Sequence, residues 1–548
     1  MAAAKLLVPT DPARRRLLKQ GGALGGLAAL GGLPLRGFAI VNGAGRVELP
    51  FGVQAGDVQA ERAVIWARAD RPARMWVEVA DNPGFHGARL LRGPAALPVS
   101  DLTAKLDVGG LRPGSRVHYR VFFEDLEGGA MRSEPVVGSL RTPPLHGLLG
   151  RVGAQRGGQD TGGVRFVWSG DVAGQGWGIN PDFGGLRIFE TMRGVQPDFF
   201  LHCGDSVYAD GPLQAEVPLA DGGLWRNIVT PEKAKVAETL DEFRGQYRYN
   251  LMDEHLRRFN AEVPVIAQWD DHEVVNNWYP GELLADPRYT EQRVDVLAAR
   301  AHRAFIDYMP VRYGERARLF RSFPWGHCAE VFRIDLRSFR GPNTANRQPA
   351  AGAETAFLGR EQLDWLKDAL SRSHATWKII ASDMPIGLVV RDGDSFENGA
   401  NDDPGAPLGR ELEIAELLRF VRRHNIRNLV WFTADVHYTA AHHYHPDRAA
   451  LRDFLPFWEF VSGPLHAGTF GPGRLDGTFG PQVVFEKSPP AGQANLPPSA
   501  GLQFFGQVDI DGASQVMTVQ LKDIQGTTLH TQVLEPERGL GPGLRRFG

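Results

Sequence analysis

Five apolar runs in this chain of 548 residues break off at a carboxylate. Val164–Ser169 ends in Gly170-Asp171, Asp198–Cys203 in Gly204-Asp205, and Val263–Trp269 in Asp270-Asp271. Trp377–Ser382 runs into Asp383, and Asn428–Thr433 into Ala434-Asp435. A single Asp after an apolar run means little, because Asp is an ordinary turn and cap residue. Repeated along one chain, the pattern places carboxylates at the rim where open α/β sheets hold their ligands. Such a crowd of oxygens suits hard cations. Tyr208 follows Asp205, His272 and Glu273 follow Asp271, and Asp435-Val436-His437 puts two donors on one side of an extended backbone.

Beside a pair of cations, Asp271 is placed to coordinate. His272 can donate a proton to a departing alkoxide or hydrogen-bond an oxyanion. The pairing serves phosphate-ester hydrolysis, in which a metal-bound hydroxide attacks phosphorus and cations neutralise the non-bridging oxygens. Asn276, Asn277 and Arg337 are candidates for holding phosphate oxygens, although Arg337 could equally serve as a surface partner for Asp335. The plain alternative at 270–273 is a helix start, with Asp270 or Asp271 as cap and His272 and Glu273 in the first turn. His442, His443 and His445 read as structural or as neighbours of the ligands.

The elements that must position these residues are legible as a pattern. Apolar runs at Val164–Ser169, Asp198–Cys203, Val263–Trp269, Val331–Leu336, Trp377–Ser382 and Asn428–Thr433 alternate with helix-like stretches. These stretches are Leu186–Met192, 231–259, Val294–Tyr308, Arg360–Leu370 and Leu412–His424, which makes a layered α/β domain. Before it, short β-branched and aromatic runs such as Ala63–Arg68, Met75–Val79 and Val117–Phe123 predict a small β-sandwich over 47–142. Leu111-Arg112-Pro113-Gly114 ahead of Tyr119 is similar to the turn and strand of fibronectin type III modules. A Gly/Pro-rich linker spans 143–163, the catalytic domain 164–535 and a tail 536–548. Alternating segments from Phe504 to Leu534 predict a β-meander that finishes the last sheet. The stretches Gly387–Gly409 and Phe457–Gln503, heavy in glycine and proline, read as long loops.

Composition narrows the class. The net charge of −3 gives no sign of a nucleic-acid-binding surface. Two cysteines, Cys203 and Cys328, exclude a disulfide framework but not one bond between them. Residues 1–39 read as a targeting signal: Arg14-Arg15-Arg16 precedes a short Gly/Ala/Leu-rich run, too short for a comfortable membrane span. The leader resembles a twin-arginine signal. It predicts a periplasmic or secreted protein whose partners include the twin-arginine export machinery.

The order Asp171, Gly204-Asp205-x-x-Tyr208, Asp270-Asp271-His272-Glu273, Asp435-x-His437 resembles the calcineurin-like metallophosphoesterases and, within them, the alkaline phosphatase D family. The resemblance covers nearly all of the chain after the leader. It implies an α/β (α+β) metallophosphatase domain, two sheets flanked by helices, behind a fibronectin type III-like sandwich. It implies Asp205 as the bridging carboxylate. Asp271, Asp383 and Asp435 stand where the superfamily has an Asn and two His. One metal would then take Asp171, Asp205, Tyr208 and His437, and the phenolate favours Fe³⁺. The other would take Asp205, Asp271, Asp383 and Asp435, an oxygen set suited to Ca²⁺, with Mg²⁺ or Mn²⁺ also accommodated. The family pattern ends its first strand in Ser-Cys, where this chain has Ser169-Gly170-Asp171, whose Asp restores the superfamily's usual carboxylate. The resulting expectation is an exported, metal-dependent alkaline phosphatase acting on small phosphomonoesters, phosphodiesters or both, with Asp205 and His272 as its catalytic residues. Two alternatives stand beside it: a phosphodiesterase or phospholipase-type enzyme with little monoesterase activity, and a non-enzymatic cation-binding exported protein.

Overall fold

Strands that are apolar on both faces need cover on both sides. In the computed structural model, which describes residues 45–126, 131–145, 162–312 and 318–537, two sheets cover each other. The expected leader 1–39 lies outside the described residues, as do 146–161 of the linker and 538–548 of the tail.

The larger sheet has nine strands in the order Thr528–Leu534, Met517–Asp523, Phe504–Ile510, Val164–Ser169, Phe199–Cys203, Val265–Gln268, Val53–Gln59, Arg62–Arg68, Thr103–Gly109. The second has seven: Arg321–Trp325, Ala329–Arg333, Trp377–Ala381, Leu429–Thr433, Phe457–Val461, Thr439–Tyr444, Pro481–Lys487. The central strands of each run parallel. Alternation along Val164–Ser169 sends Phe166 and Trp168 between the sheets and Val167 towards the helices. Between the sheets Phe166 and Trp168 meet Leu201, Val331, Ile379, Phe432 and Phe460. The Trp168 ring lies 4.5 Å from that of Phe432. Each such fully buried aromatic stabilises the fold by on the order of 2 kcal/mol.

Helices close the outer faces. Leu240–Asn250, Glu254–Glu262 and Val294–Tyr308 bring Phe243, Phe259, Leu297 and Phe305 to the core over the nine-stranded sheet. Arg360–Arg372 and Glu411–Arg423 bring Leu363, Leu366, Leu417 and Leu418 to the core over the other. The stretch 231–259 is not one helix. It breaks at Asp253, whose carboxylate caps the second helix at the Leu256 N–H and also accepts from the Leu186 N–H.

All six expected strands form, the fourth at Ala329–Arg333, earlier than its apolar run suggested. The meander also forms, but Phe504–Ile510 pairs with Val164–Ser169, so it completes the first sheet and not the last. Phe457–Gln503 is more than a loop, since it contributes the strands Phe457–Val461 and Pro481–Lys487. In the β-sandwich, the strands Ala73–Ala80, Arg89–Ala96, Arg116–Asp125 and Val136–Arg141 form their own sheet. They share one core, with Val53, Ala55, Ile65, Met75, Val77 and Tyr119, with the three strands that extend the nine-stranded sheet. The sandwich is joined to the catalytic layers by Gly56 pairing with Val265 and by the Trp66 indole donating to the Asp307 carbonyl at 2.8 Å. Cys203 and Cys328 are both buried, and no disulfide joins them. Among the described residues no helix is long and apolar enough to cross a membrane.

Candidate metal centre

Because the central strands run parallel, their carboxyl ends collect at one edge. Asp171, Asp205 and Asp270-Asp271 leave neighbouring strands of the larger sheet; Asp383, Asp435 and His437 leave neighbouring strands of the other. The turns that aim them are tight. Asp171, Asp205, Asp435 and His437 have φ of 68°, 50°, 68° and 60°, a left-handed conformation costing side chains about 1 to 3 kcal/mol each. Neighbouring backbone holds them there. The N–H of Val172 donates to the Asp205 carbonyl at 2.9 Å, that of His466 to the Asp171 carbonyl at 2.9 Å, and that of Phe470 to the His437 carbonyl at 3.3 Å. Gly204 has φ 99°, and a Cβ there would sit 2.4 Å from the Asp270 Cβ, so only glycine fits. At Gly463 a Cβ would lie 2.1 Å from Asp171 Oδ2.

The strand ends form three overlapping groups whose donor atoms lie within 4.8 Å of one another: Asp171, Asp205, His437; Asp205, Asp271, His272; and Asp270, Asp271, Asp435. Asp205 is common to the first two. The Tyr208 hydroxyl lies 2.9 Å from His437 Nε2, while His437 Nδ1 donates to the Gly468 carbonyl. That bond fixes the tautomer, so Nε2, 3.8 Å from Asp171 Oδ1, accepts from the Tyr208 hydroxyl. His272 Nδ1 donates to Asp210, 2.8 and 3.0 Å from its two oxygens. Glu273 clamps two of the turns, accepting from the Ser206 N–H at 2.6 Å and the Asp270 N–H at 2.8 Å.

These residues fit a metal ion. Both oxygens of Asp171 are buried without a hydrogen-bond partner, as are Asp270 Oδ2 and Asp383 Oδ2. Burial, then neighbouring carboxylates, pushes Asp171 and Asp205 well above the usual carboxylate range, although His272 opposes this. Asp435 is raised in the same way by burial and by Glu397 and Asp271. Burial, with Asp205 and Asp171 alongside, pushes the Tyr208 phenol up as well. Asp271 goes the other way: burial raises it, but His272, Arg337 and the backbone N–H groups of Asn277 and His272 hold it down to about 2. Cations among these oxygens are what would let them ionise together.

Residues 166–521 match the family model described as PhoD-like phosphatase, and residues 38–144 match that of its N-terminal domain. The chain belongs to the PhoD-like phosphatase family. It is 26% identical over 309 residues to alkaline phosphatase D of Bacillus subtilis (strain 168), covering 53% of this chain and 50% of that protein. A solved structure of PhoD superposes with a TM-score of 0.64 at 19% identity, covering 89% of both chains. Purple acid phosphatase PPD1 from yellow lupin seeds superposes with a TM-score of 0.51 at 12% identity, covering 88% of this chain and 73% of the other. At these identities the two structures speak for the fold alone.

Within this PhoD-like fold the other expected residues fall as follows. Asp383 stands outside the three groups; Gln268 Nε2 lies 3.3 Å from its Oδ1, and Arg337 Nε lies 3.6 Å from its Oδ2. Arg337 is not a surface partner. It is fully buried, and its Nε donates to Asp270 at 2.6 Å. The side chain of Asn277 turns to Asp392 of the 387–409 segment, 3.3 Å away, while its N–H donates to Asp271 at 2.6 Å. Asn276 is exposed and donates through its N–H to Asp210 at 2.9 Å. No helix starts at 270–273; the chain turns there, with the Val274 N–H bonded to the Asp271 carbonyl at 2.7 Å. His442 is bound to Glu459 at 3.0 Å, away from the three groups. Sequence reasoning missed Asp210 and Glu397, which carry no local signal, and gave the strand-end carboxylate Asp270 no ligand role.

Proposed function

We propose that this chain is an exported, metal-dependent phosphohydrolase that cleaves phosphomonoesters, phosphodiesters or both. The observation that carries the reading is the fully buried Asp171, with both oxygens unpartnered, in a group linked through Asp205 to a second one. Metal ions bound there would activate water and neutralise the charge spread over phosphate oxygens.

The protein's own residues have separate tasks. Asp205 would be the carboxylate shared between two metal sites, since it lies both in the group of Asp171 and His437 and in a group with Asp271. Asp171, Tyr208 and His437 complete one set, and a phenol among carboxylates favours Fe³⁺. Asp271 and Asp435, with Asp270, make an all-oxygen set suited to Ca²⁺, Mg²⁺ or Mn²⁺. Asp383, behind Arg337, serves as a supporting carboxylate. Asp210 holds Nδ1 of His272, which leaves Nε2 to deliver a proton to the departing alkoxide. The N–H groups of Asn276 and Asn277 brace Asp210 and Asp271.

Export rests on Arg14-Arg15-Arg16 ahead of its apolar run. Amino-terminal sequencing of the mature protein from a periplasmic fraction tests it, and retention of residue 1 would argue against it. For the activity, the purified protein should contain iron and calcium on elemental analysis and show a visible tyrosinate-to-iron band. It should also hydrolyse a chromogenic monoester or diester. Absence of hydrolysis of both substrates by metal-replete protein would sink the reading.

A further inference from the structure

A guanidinium lies inside the carboxylate cluster. Arg337 has no exposed surface, and five carboxylates surround it. Its Nε donates to Asp270 Oδ1 at 2.6 Å, and one terminal nitrogen lies 2.6 Å from the same oxygen. That terminal nitrogen is also 3.8 Å from Asp271 and 3.9 Å from Asp435. One edge of the guanidinium therefore faces every member of the Asp270, Asp271, Asp435 group. The opposite terminal nitrogen lies 2.5 Å from Glu397, which comes from the 387–409 segment. Arg340 and Arg410 are also buried nearby, Arg340 4.0 Å from the same Glu397 oxygen. Their terminal nitrogens donate to main-chain carbonyls, those of Glu397, Phe396 and Pro342 among them.

We propose that Arg337 is a resident cation of the centre, a positioning residue that competes with a metal ion for Asp270, Asp271 and Asp435 and so sets how tightly that group binds its ion. The proposal rests on the reading above that these carboxylates hold metal. Arginine suits the task because its charge is permanent and its fork reaches several carboxylates at once. A divalent ion in that group and the guanidinium repel each other at this range, which weakens the ion's hold. Without the ion, Arg337 is the counter-charge that makes burial of these carboxylates tolerable. Glu397 moderates the competition by drawing part of the guanidinium's charge to the far side.

Two substitutions in the full chain then act in opposite directions. Arg337→Gln should lower the melting temperature in chelator yet tighten Ca²⁺ binding about tenfold, so the rise in melting temperature on adding Ca²⁺ exceeds that of the wild type. Glu397→Gln leaves Arg337 less compensated, and Ca²⁺ binding should weaken several-fold. Calorimetric titration with Ca²⁺ and melting with and without Ca²⁺ read both. If Arg337→Gln does not fold, Arg337→Lys, which keeps the charge but loses the fork on Asp270, should bind Ca²⁺ no more weakly than the wild type, and Glu397→Gln still carries the sign. A wild type stabilised by Ca²⁺ beside variants with an unchanged Ca²⁺ response overturns the role of Arg337. A wild type that neither binds nor is stabilised by Ca²⁺, Mg²⁺ or Mn²⁺ overturns the metal reading itself.

Discussion

His272 Nδ1 donates to the carboxylate of Asp210, 2.8 Å away, and the Asn276 N–H holds the other oxygen of that carboxylate at 2.9 Å. The imidazole is thus fixed in one orientation by a buried residue that stands outside the three groups. Asp210→Asn should keep the fold and the metal content while lowering kcat by about 10- to 100-fold, the usual cost of losing such an outer partner. Steady-state kinetics beside elemental analysis checks this. A variant with wild-type kcat would remove His272 orientation from the mechanism.

Gly204 has no room for a side chain. Its φ of 99° and the 2.4 Å approach that a Cβ there would make to the Asp270 Cβ act together. Gly204→Ala should destabilise the protein by about 3 kcal/mol. It should also displace Asp205, so bound metal falls along with the melting temperature. Denaturant unfolding and metal analysis of the same preparation are the measurements. Unchanged stability would mean that the turn relaxes freely.

The strand-end carboxylates were legible because each strand announces itself locally and Asp171, Asp205 and Asp435 follow directly. What escaped was long-range. Nothing about Ala209-Asp210 says that this carboxylate meets a ring 62 residues further on. Glu397 and Arg337 likewise meet only through the fold. The strand Phe457–Val461 was hidden by Glu459, a charge in mid-run. That carboxylate is satisfied by Tyr444 at 2.8 Å, His442 at 3.0 Å and the Ile386 N–H at 2.5 Å, partners that no local pattern reveals.

Asp171 is costly to the metal-free protein, because both of its oxygens are buried and unpartnered. Asp171→Asn should therefore melt at or above the wild-type temperature in chelator. It should also lose much of the stabilisation that added metal gives, and activity should fall by at least about 100-fold. Melting curves with and without metal separate the two effects. Equal metal stabilisation in variant and wild type would exclude Asp171 as a ligand.

Glu411, at the start of helix Glu411–Arg423, offers a pH test away from the centre. Burial, with Asp476 beside it, raises its carboxyl to about 8, although the Leu408 N–H and Thr478 oppose this. The folded protein then holds a proton that the unfolded chain releases near 4.5. Stability from this group is complete below that unfolded value and is lost as pH rises towards 8 and beyond. Glu411→Gln cannot release a proton, so it should flatten the decline in stability between pH 5 and 9, a difference of several kcal/mol at about 1.4 kcal/mol per unit. Urea unfolding across that range, with wild type and variant in parallel, measures it. Parallel curves would show that Glu411 is ionised in the folded protein throughout.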